Sequence, residues 1–260
     1  MRNVLRGVAP LVCAVAIAGA AAGSAAAADR YVALGDSYSS GTGTGSYTLN
    51  SGCQRSTYAY PYLASRQRAN TDLVFVACSG AKTDDVMANQ ISSVTASTAL
   101  VSITIGGNDA GFSSVVTSCV TIGCSSAIAN AITYIRNTLP GKLNTVYSAI
   151  QRQAPSARVA VLGYPRLFSS SSCAGTTGID ASERTQLNGV ADLLDSTIAS
   201  RAAAYGFSYR SAIPSFTGHA VCSSSAWLNG LNILSTGESF HPNRTGHASG
   251  YTPLVRSVIG

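Results

Sequence analysis

The 260-residue chain is poor in charge: only 11% of it is Asp, Glu, Lys or Arg. Its 17 basic residues form no run, so a nucleic-acid-binding face is excluded. Beyond one N-terminal stretch no apolar run is long enough to span a bilayer, so no stable membrane insertion is expected. Histidine is limited to His219, His241 and His247, and no C-x-x-C occurs. With neither paired cysteines nor cysteine-flanked histidines, no metal site is expected. Internal repeats and domain linkers are also absent.

What is there begins with the leader. Arg2 and Arg6 give a basic start, Val8 to Ala22 is apolar and small, and Ala26-Ala27-Ala28 supplies an A-x-A cleavage site. Residues 1–28 read as a signal peptide and 29–260 as a single domain, secreted to the extracellular side and monomeric. The 232 residues after the leader carry 15 basic and 11 acidic groups, a net charge of +4 that serves solubility. Six cysteines remain after Cys13 leaves, and an even count in an exported chain implies disulfides. Six cysteines allow 15 connectivities. Sequential pairing (Cys53–Cys78, Cys119–Cys124, Cys173–Cys222) is preferred because it staples three successive surface excursions.

The stretch Tyr31-Val32-Ala33-Leu34-Gly35-Asp36-Ser37 reads as a buried strand ending in a tight turn. Four further apolar runs resemble it: 73–77, 100–105, 158–162 and 207–213. Helical spacing marks 125–139, a second piece over 142–153 after a break at Pro140-Gly141, a long helix capped by Asp180, and a terminal helix within 243–259. Strands alternating with helices predict an α/β fold, a three-layer α/β/α sandwich around a mostly parallel sheet of about five strands. In such sheets ligands bind beyond the carboxyl ends of the strands. Gly35-Asp36-Ser37, Cys78-Ser79-Gly80-Ala81 and Gly106-Gly107-Asn108-Asp109 each follow a strand there.

Serine chemistry needs a base, a group that orients the base, and donors for an oxyanion. Ser37 stands where a helix N-terminus favours negative charge, although Asp and Ser are also ordinary capping residues. His241 lies in a late loop with Glu238 three residues before it, close enough in a tight turn to reach its Nδ1. His247 reads as a packing or capping residue and His219 as a loop residue. The Ser37 and Gly80 backbone N–H groups and the Asn108 amide are the candidate oxyanion hole.

These four blocks, Gly35-Asp36-Ser37-Tyr38-Ser39-Ser40-Gly41, Gly80, Gly106-Gly107-Asn108-Asp109 and Glu238-x-x-His241-Pro242, resemble the SGNH (GDSL-type) esterase/lipase family. The likeness is to its secreted bacterial lipase and phospholipase branch, whose members have three sequential disulfides. It implies a serine esterase hydrolysing carboxylic esters, acyl glycerides or phospholipids, through an acyl-enzyme on Ser37 with His241 as base and without cofactor. By matching position, Gly80 and Asn108 complete the oxyanion hole with Ser37. The family has Asp where this chain has Glu238. Some relatives use instead the backbone carbonyl two residues before the histidine, here that of Ser239, and this reading is favoured over Glu238.

A carbohydrate acetyl esterase on the same fold and a non-catalytic secreted binding protein are the alternatives. Ser79-Gly80-Ala81-Lys82 matches S-x-x-K, but its S-D-N and K-T-G partners are missing. No lid helix stands out. The serine-rich loops 39–62, 169–178 and 223–234, with Trp227, are expected to line the acyl side.

Overall fold

In a computed structural model, which describes Gly7 and residues 27–121 and 123–260, five parallel strands form one sheet. The expected leader lies outside the described residues except at Gly7, Ala27 and Ala28. The strands are β1 (Asp29–Gly35), β2 (Thr71–Phe75), β3 (Thr98–Thr104), β4 (Arg158–Leu162) and β5 (Ser208–Arg210), in spatial order β2-β1-β3-β4-β5. β1 and β3 are buried on both faces along nearly their whole length, as a covered parallel sheet requires.

The helices are α1 (Ser37–Ser40), α2 (Tyr60–Gln67), α3 (Thr83–Asn89), α4 (Phe112–Thr121), α5 (Ser125–Asn137), α6 (Leu139–Gln153), α7 (Ala181–Ala204), α8 (Ile213–Phe216) and α9 (Thr252–Ile259). α2 and α9 pack on each other and on the sheet, while α5, α6 and α7 form a second packed group on β4 and β5 through α7. The α/β/α expectation holds.

Several element bounds differ from those read in the sequence, each for a local reason. Pro140 does not break a helix but sits in the first turn of α6, where its missing N–H costs nothing. β2 closes at Phe75 because Val76 and Ala77 both donate to the Ala33 carbonyl, which ends the regular ladder. The terminal helix starts only at Thr252, after a π-helical turn over Gly246–Tyr251. Asp180 does cap α7, accepting from Glu183 N at 2.8 Å.

The order places β1 at the switch point. From β1 the chain moves outward to β2, then returns to the other side for β3, β4 and β5. The crevice expected at such a point opens beyond the ends of β1 and β3. Both ends are fixed by polar bonds inside the core. Gln90 clasps Gly35 on both backbone groups, accepting from its N–H at 2.8 Å and donating to its carbonyl at 2.9 Å. Ser39 Oγ accepts from Thr104 N at 3.1 Å. Gly35 has φ +123°, and a Cβ there would stand 2.4 Å from the Thr104 carbonyl oxygen, so the close approach of the two strand ends requires glycine.

The disulfides are Cys53–Cys78, Cys119–Cys124 and Cys173–Cys222. The first ties the loop before α2 to the end of β2, the second bridges α4 to the start of α5, and the third joins two loops near the histidine segment.

Candidate active site

Asp36 closes β1 and caps α1, accepting from Tyr38 N at 3.0 Å, which leaves Ser37 as the first helical residue. The N-cap reading of Gly-Asp-Ser is therefore true of Asp36, and it puts Ser37 on the exit of the strand. Ser37 is buried to 5% exposure, at the floor of a groove of about 550 Å³. Asn108, Ser239 and His241 stand in the same wall.

His241 Nε2 lies 2.8 Å from Ser37 Oγ, and its Nδ1 lies 2.9 Å from the Ser239 carbonyl oxygen. A carbonyl only accepts, so Nδ1 carries the proton and the neutral ring offers its Nε2 lone pair to the Ser37 hydroxyl. Burial lowers the His241 pKa to about 4, against the opposing effect of the Ser239 bond. The imidazole is neutral throughout the range where a base is wanted.

The turn that makes this possible is tight. Phe240 adopts φ +61°, which an aromatic residue rarely visits, and this folds the Ser239 carbonyl back onto the ring one residue on. Tyr38 O–H donates to the Phe240 carbonyl at 2.7 Å, joining the helix that carries Ser37 to the residue before His241. Gly43 (φ +95°) packs flat against the same turn, where a Cβ would come 2.6 Å from the Pro242 carbonyl and 2.8 Å from His241 Cβ. Asn229 donates to the Gly43 carbonyl at 2.9 Å, and its N–H bonds the His241 carbonyl.

Glu238 is engaged elsewhere. Its carboxylate accepts from Tyr47 O–H, and Tyr47 oxygen accepts in turn from Gly43 N at 3.1 Å. The pair straps two loops together beside the histidine.

Asn108 donates through Nδ2 to the Ala81 carbonyl at 3.0 Å, which holds the loop after β3 beside the turn that contains Gly80. Asp109 strengthens that link by accepting from the N–H and hydroxyl of Thr83 at the start of α3. Gly80 itself is exposed at φ +81°, in the turn to which Asn108 is tied through Ala81. Ser79 Oγ accepts from Thr42 Oγ1 at 3.0 Å.

Tyr164, which follows β4, escaped the sequence reading. Its hydroxyl donates to the Asp36 carboxylate and accepts from Gly107 N at 3.1 Å, so one buried side chain joins the Ser37 corner to the Asn108 loop. Burial raises the Asp36 pKa to about 7, while the bonds from Tyr164 and Tyr38 pull it back down. The position after a strand end was the one available signal.

His247 is fully buried, and its Nδ1 accepts from Tyr60 N at 3.4 Å. Burial lowers its pKa to about 3. His219 stacks on Trp227 with ring centroids 3.6 Å apart. Cys119 and Cys124 approach Glu183, but both sulfurs are spent in a disulfide.

The apolar wall of the groove differs from expectation. Val116 and Val120 of α4, Leu194 of α7 and Phe240 form it with Leu231 and Ile233, the latter two alone coming from the serine-rich loops. Trp227 is not part of it. Phe112, Val116 and Val120 repeat at four-residue steps, which turns one face of α4 to the groove.

Residues 33–248 match the model of the GDSL-like lipase/acylhydrolase family. A lipase of Streptomyces coelicolor, Lipase 1, is 48% identical over 257 residues, covering 95% of this chain and 94% of that one. The chain belongs to the GDSL-like lipase/acylhydrolase family. The solved structures of an extracellular lipase from Streptomyces rimosus and of a phospholipase A1 from Streptomyces albidoflavus each superpose with a TM-score of 0.85 at 45% identity, covering 89% of this chain and 100% of theirs. An acetyl-xylooligosaccharide esterase from Geobacillus shares the fold at 14% identity and a TM-score of 0.57. As a member of the family the protein is a carboxylic ester hydrolase of the lipase/esterase type, and the acetyl-esterase alternative is not favoured.

Proposed function

We propose that the protein is a secreted lipase or phospholipase A-type esterase in which Ser37 and His241 act as a dyad and the Ser239 carbonyl orients the histidine. The observation that carries the reading is the 2.8 Å contact between Ser37 Oγ and His241 Nε2 at the floor of an apolar groove.

In the first half-reaction Ser37 Oγ attacks the ester carbonyl carbon as its proton passes to His241 Nε2. The tetrahedral oxyanion is held by the backbone N–H groups of Ser37 and Gly80 and by the second N–H of the Asn108 amide, donors whose directions are set before substrate arrives. Collapse breaks the bond to the leaving alcohol, which takes the proton from His241 and departs. Water then attacks the acyl-enzyme by the same route, His241 accepting its proton and returning it to Ser37 Oγ. The Ser239 carbonyl fixes the tautomer throughout but brings no charge to the transient imidazolium.

The groove favours an acyl chain of several carbons, because its walls are largely aliphatic and aromatic. Three disulfides, the leader-like N-terminus and a relative described as extracellular support secretion. The test is hydrolysis of p-nitrophenyl esters from acetate to palmitate, together with triacylglycerol and phosphatidylcholine. Turnover that rises beyond acetate and vanishes in Ser37→Ala is expected. Inertness of the wild-type protein at every chain length would reverse the proposal in favour of a binding protein.

A further inference from the structure

Among the described residues, two neighbouring aliphatic side chains stand out in water: Ile233 is 79% exposed and Leu234 is 94% exposed. Large apolar groups in that state are costly to hydrate, and side by side they mark a surface meant to be covered. They are held there by a formed turn. Asn232 Oδ1 accepts from the N–H groups of Leu234 and Ser235 at 3.1 Å each, and Asn232 N donates to Ser239 Oγ at 2.9 Å. Leu231 N donates to the Gly175 carbonyl at 2.9 Å, which roots the turn on the loop clamped by Cys173–Cys222.

Two more observations say what covers the tip. Ile233 also lines the groove that holds Ser37 and His241, whereas Leu234 stands outside its wall, so the apolar surface runs unbroken from the groove to the tip. Residues 229–237 carry no charged side chain, and Glu238, the first charge beyond them, is occupied by Tyr47. The tip itself therefore carries no charge to oppose contact with hydrocarbon, and Glu238, which lines the depression beside it, is turned to the Tyr47 hydroxyl.

We infer that the Ile233–Leu234 tip is a lipid-surface anchor, dipping into the acyl layer of an aggregated substrate so that a chain enters the groove without crossing water. The inference rests on the ester-hydrolase reading and adds to it a surface by which the enzyme finds its substrate. No closing lid is involved: the anchor concentrates and orients the protein at the interface.

The test uses vesicles of ether-linked phosphatidylcholine, which offer no ester to cleave, and three full-length proteins: wild type, Leu234→Ser and Leu234→Trp. Wild type co-sediments with the vesicles, and Leu234→Ser binds about tenfold more weakly, equivalent to about 1.4 kcal/mol. Leu234→Trp keeps binding, and its emission gains a component that moves to the blue on vesicle addition. Turnover of dissolved p-nitrophenyl acetate stays within about twofold in both variants, while cleavage of emulsified long-chain ester falls about tenfold in Leu234→Ser, in step with the binding constant. Wild-type protein that ignores vesicles, or a Leu234→Ser variant that binds them equally well, overturns the inference. So does a wild-type dimer in sedimentation velocity that Leu234→Ser dissociates, since a second copy would then cover the tip. Failure of the enzyme reading appears separately, as wild type inert toward dissolved ester whatever the vesicles report.

Discussion

The serine corner, residues 29–44, and the histidine loop, residues 229–243, face each other across one groove. The corner is an extension of β1: every residue from Val32 to Thr44 is buried, and its bonds run into the core, to Gln90, Thr104 and Tyr60. The loop has little regular structure and is exposed at its tip. Its shape comes from single bonds, among them Tyr38 to the Phe240 carbonyl, Asn229 to Gly43, and Tyr47 to Glu238. Position at the corner is thus set by the sheet, while position in the loop is set by a few side chains anchored on the corner. The histidine's Nδ1 bonds its own backbone two residues back rather than a carboxylate.

Predictions that probe this division begin with the reacting groups. Ser37→Ala and His241→Ala each lower kcat by about a thousandfold or more, and the double variant loses little beyond either one, as groups acting as a unit do. Steady-state and single-turnover assays on one soluble ester check this; additive losses would mean independent roles. Next comes Gly43→Ala. Its methyl meets the Pro242 carbonyl and displaces the histidine, lowering kcat about a hundredfold, and the positive φ lowers the melting temperature as well. If kcat is kept, the loop does not depend on the corner for its place.

Tyr164→Phe removes the bridge between Asp36 and Gly107 N. It leaves Gly107 N and one Asp36 carboxylate oxygen unpaired in the core, at a cost of about 1–3 kcal/mol of stability by urea unfolding. The pH profile is a finer probe. With the His241 pKa held at about 4 by burial, the basic form persists from neutral pH well into acid, and kcat/KM falls only as pH drops through that value. An acid limb centred near 6.5 would show a solvated histidine. The smallest effect belongs to Glu238→Ala, which keeps at least a tenth of kcat, a loss under about 1.4 kcal/mol. A thousandfold loss would make Glu238 the working partner of the histidine.

Much of the corner was legible because it is local. An apolar run ended by Gly-Asp-Ser, and loops following successive strands, point to one sheet edge before any contact is known. The histidine loop was legible only in its motif. The tyrosines that shape it meet partners 202 residues away for Tyr38 and 191 for Tyr47, and a single Tyr in a sequence carries no mark of such a bond. Helices α2 and α3 were missed because each is only eight or seven residues long, too short for periodicity to declare itself. The groove wall was sought in loops on composition, whereas the four-residue apolar step from Phe112 to Val120 was the better guide.

The most direct test of the account is covalent labelling with a p-nitrophenyl phosphonate ester, located by peptide mass spectrometry. The account predicts one label per chain, on Ser37, formed in the wild-type protein and slowed about a thousandfold in His241→Ala. A label on Ser79, or labelling of Ser37 at an unchanged rate without His241, would contradict it.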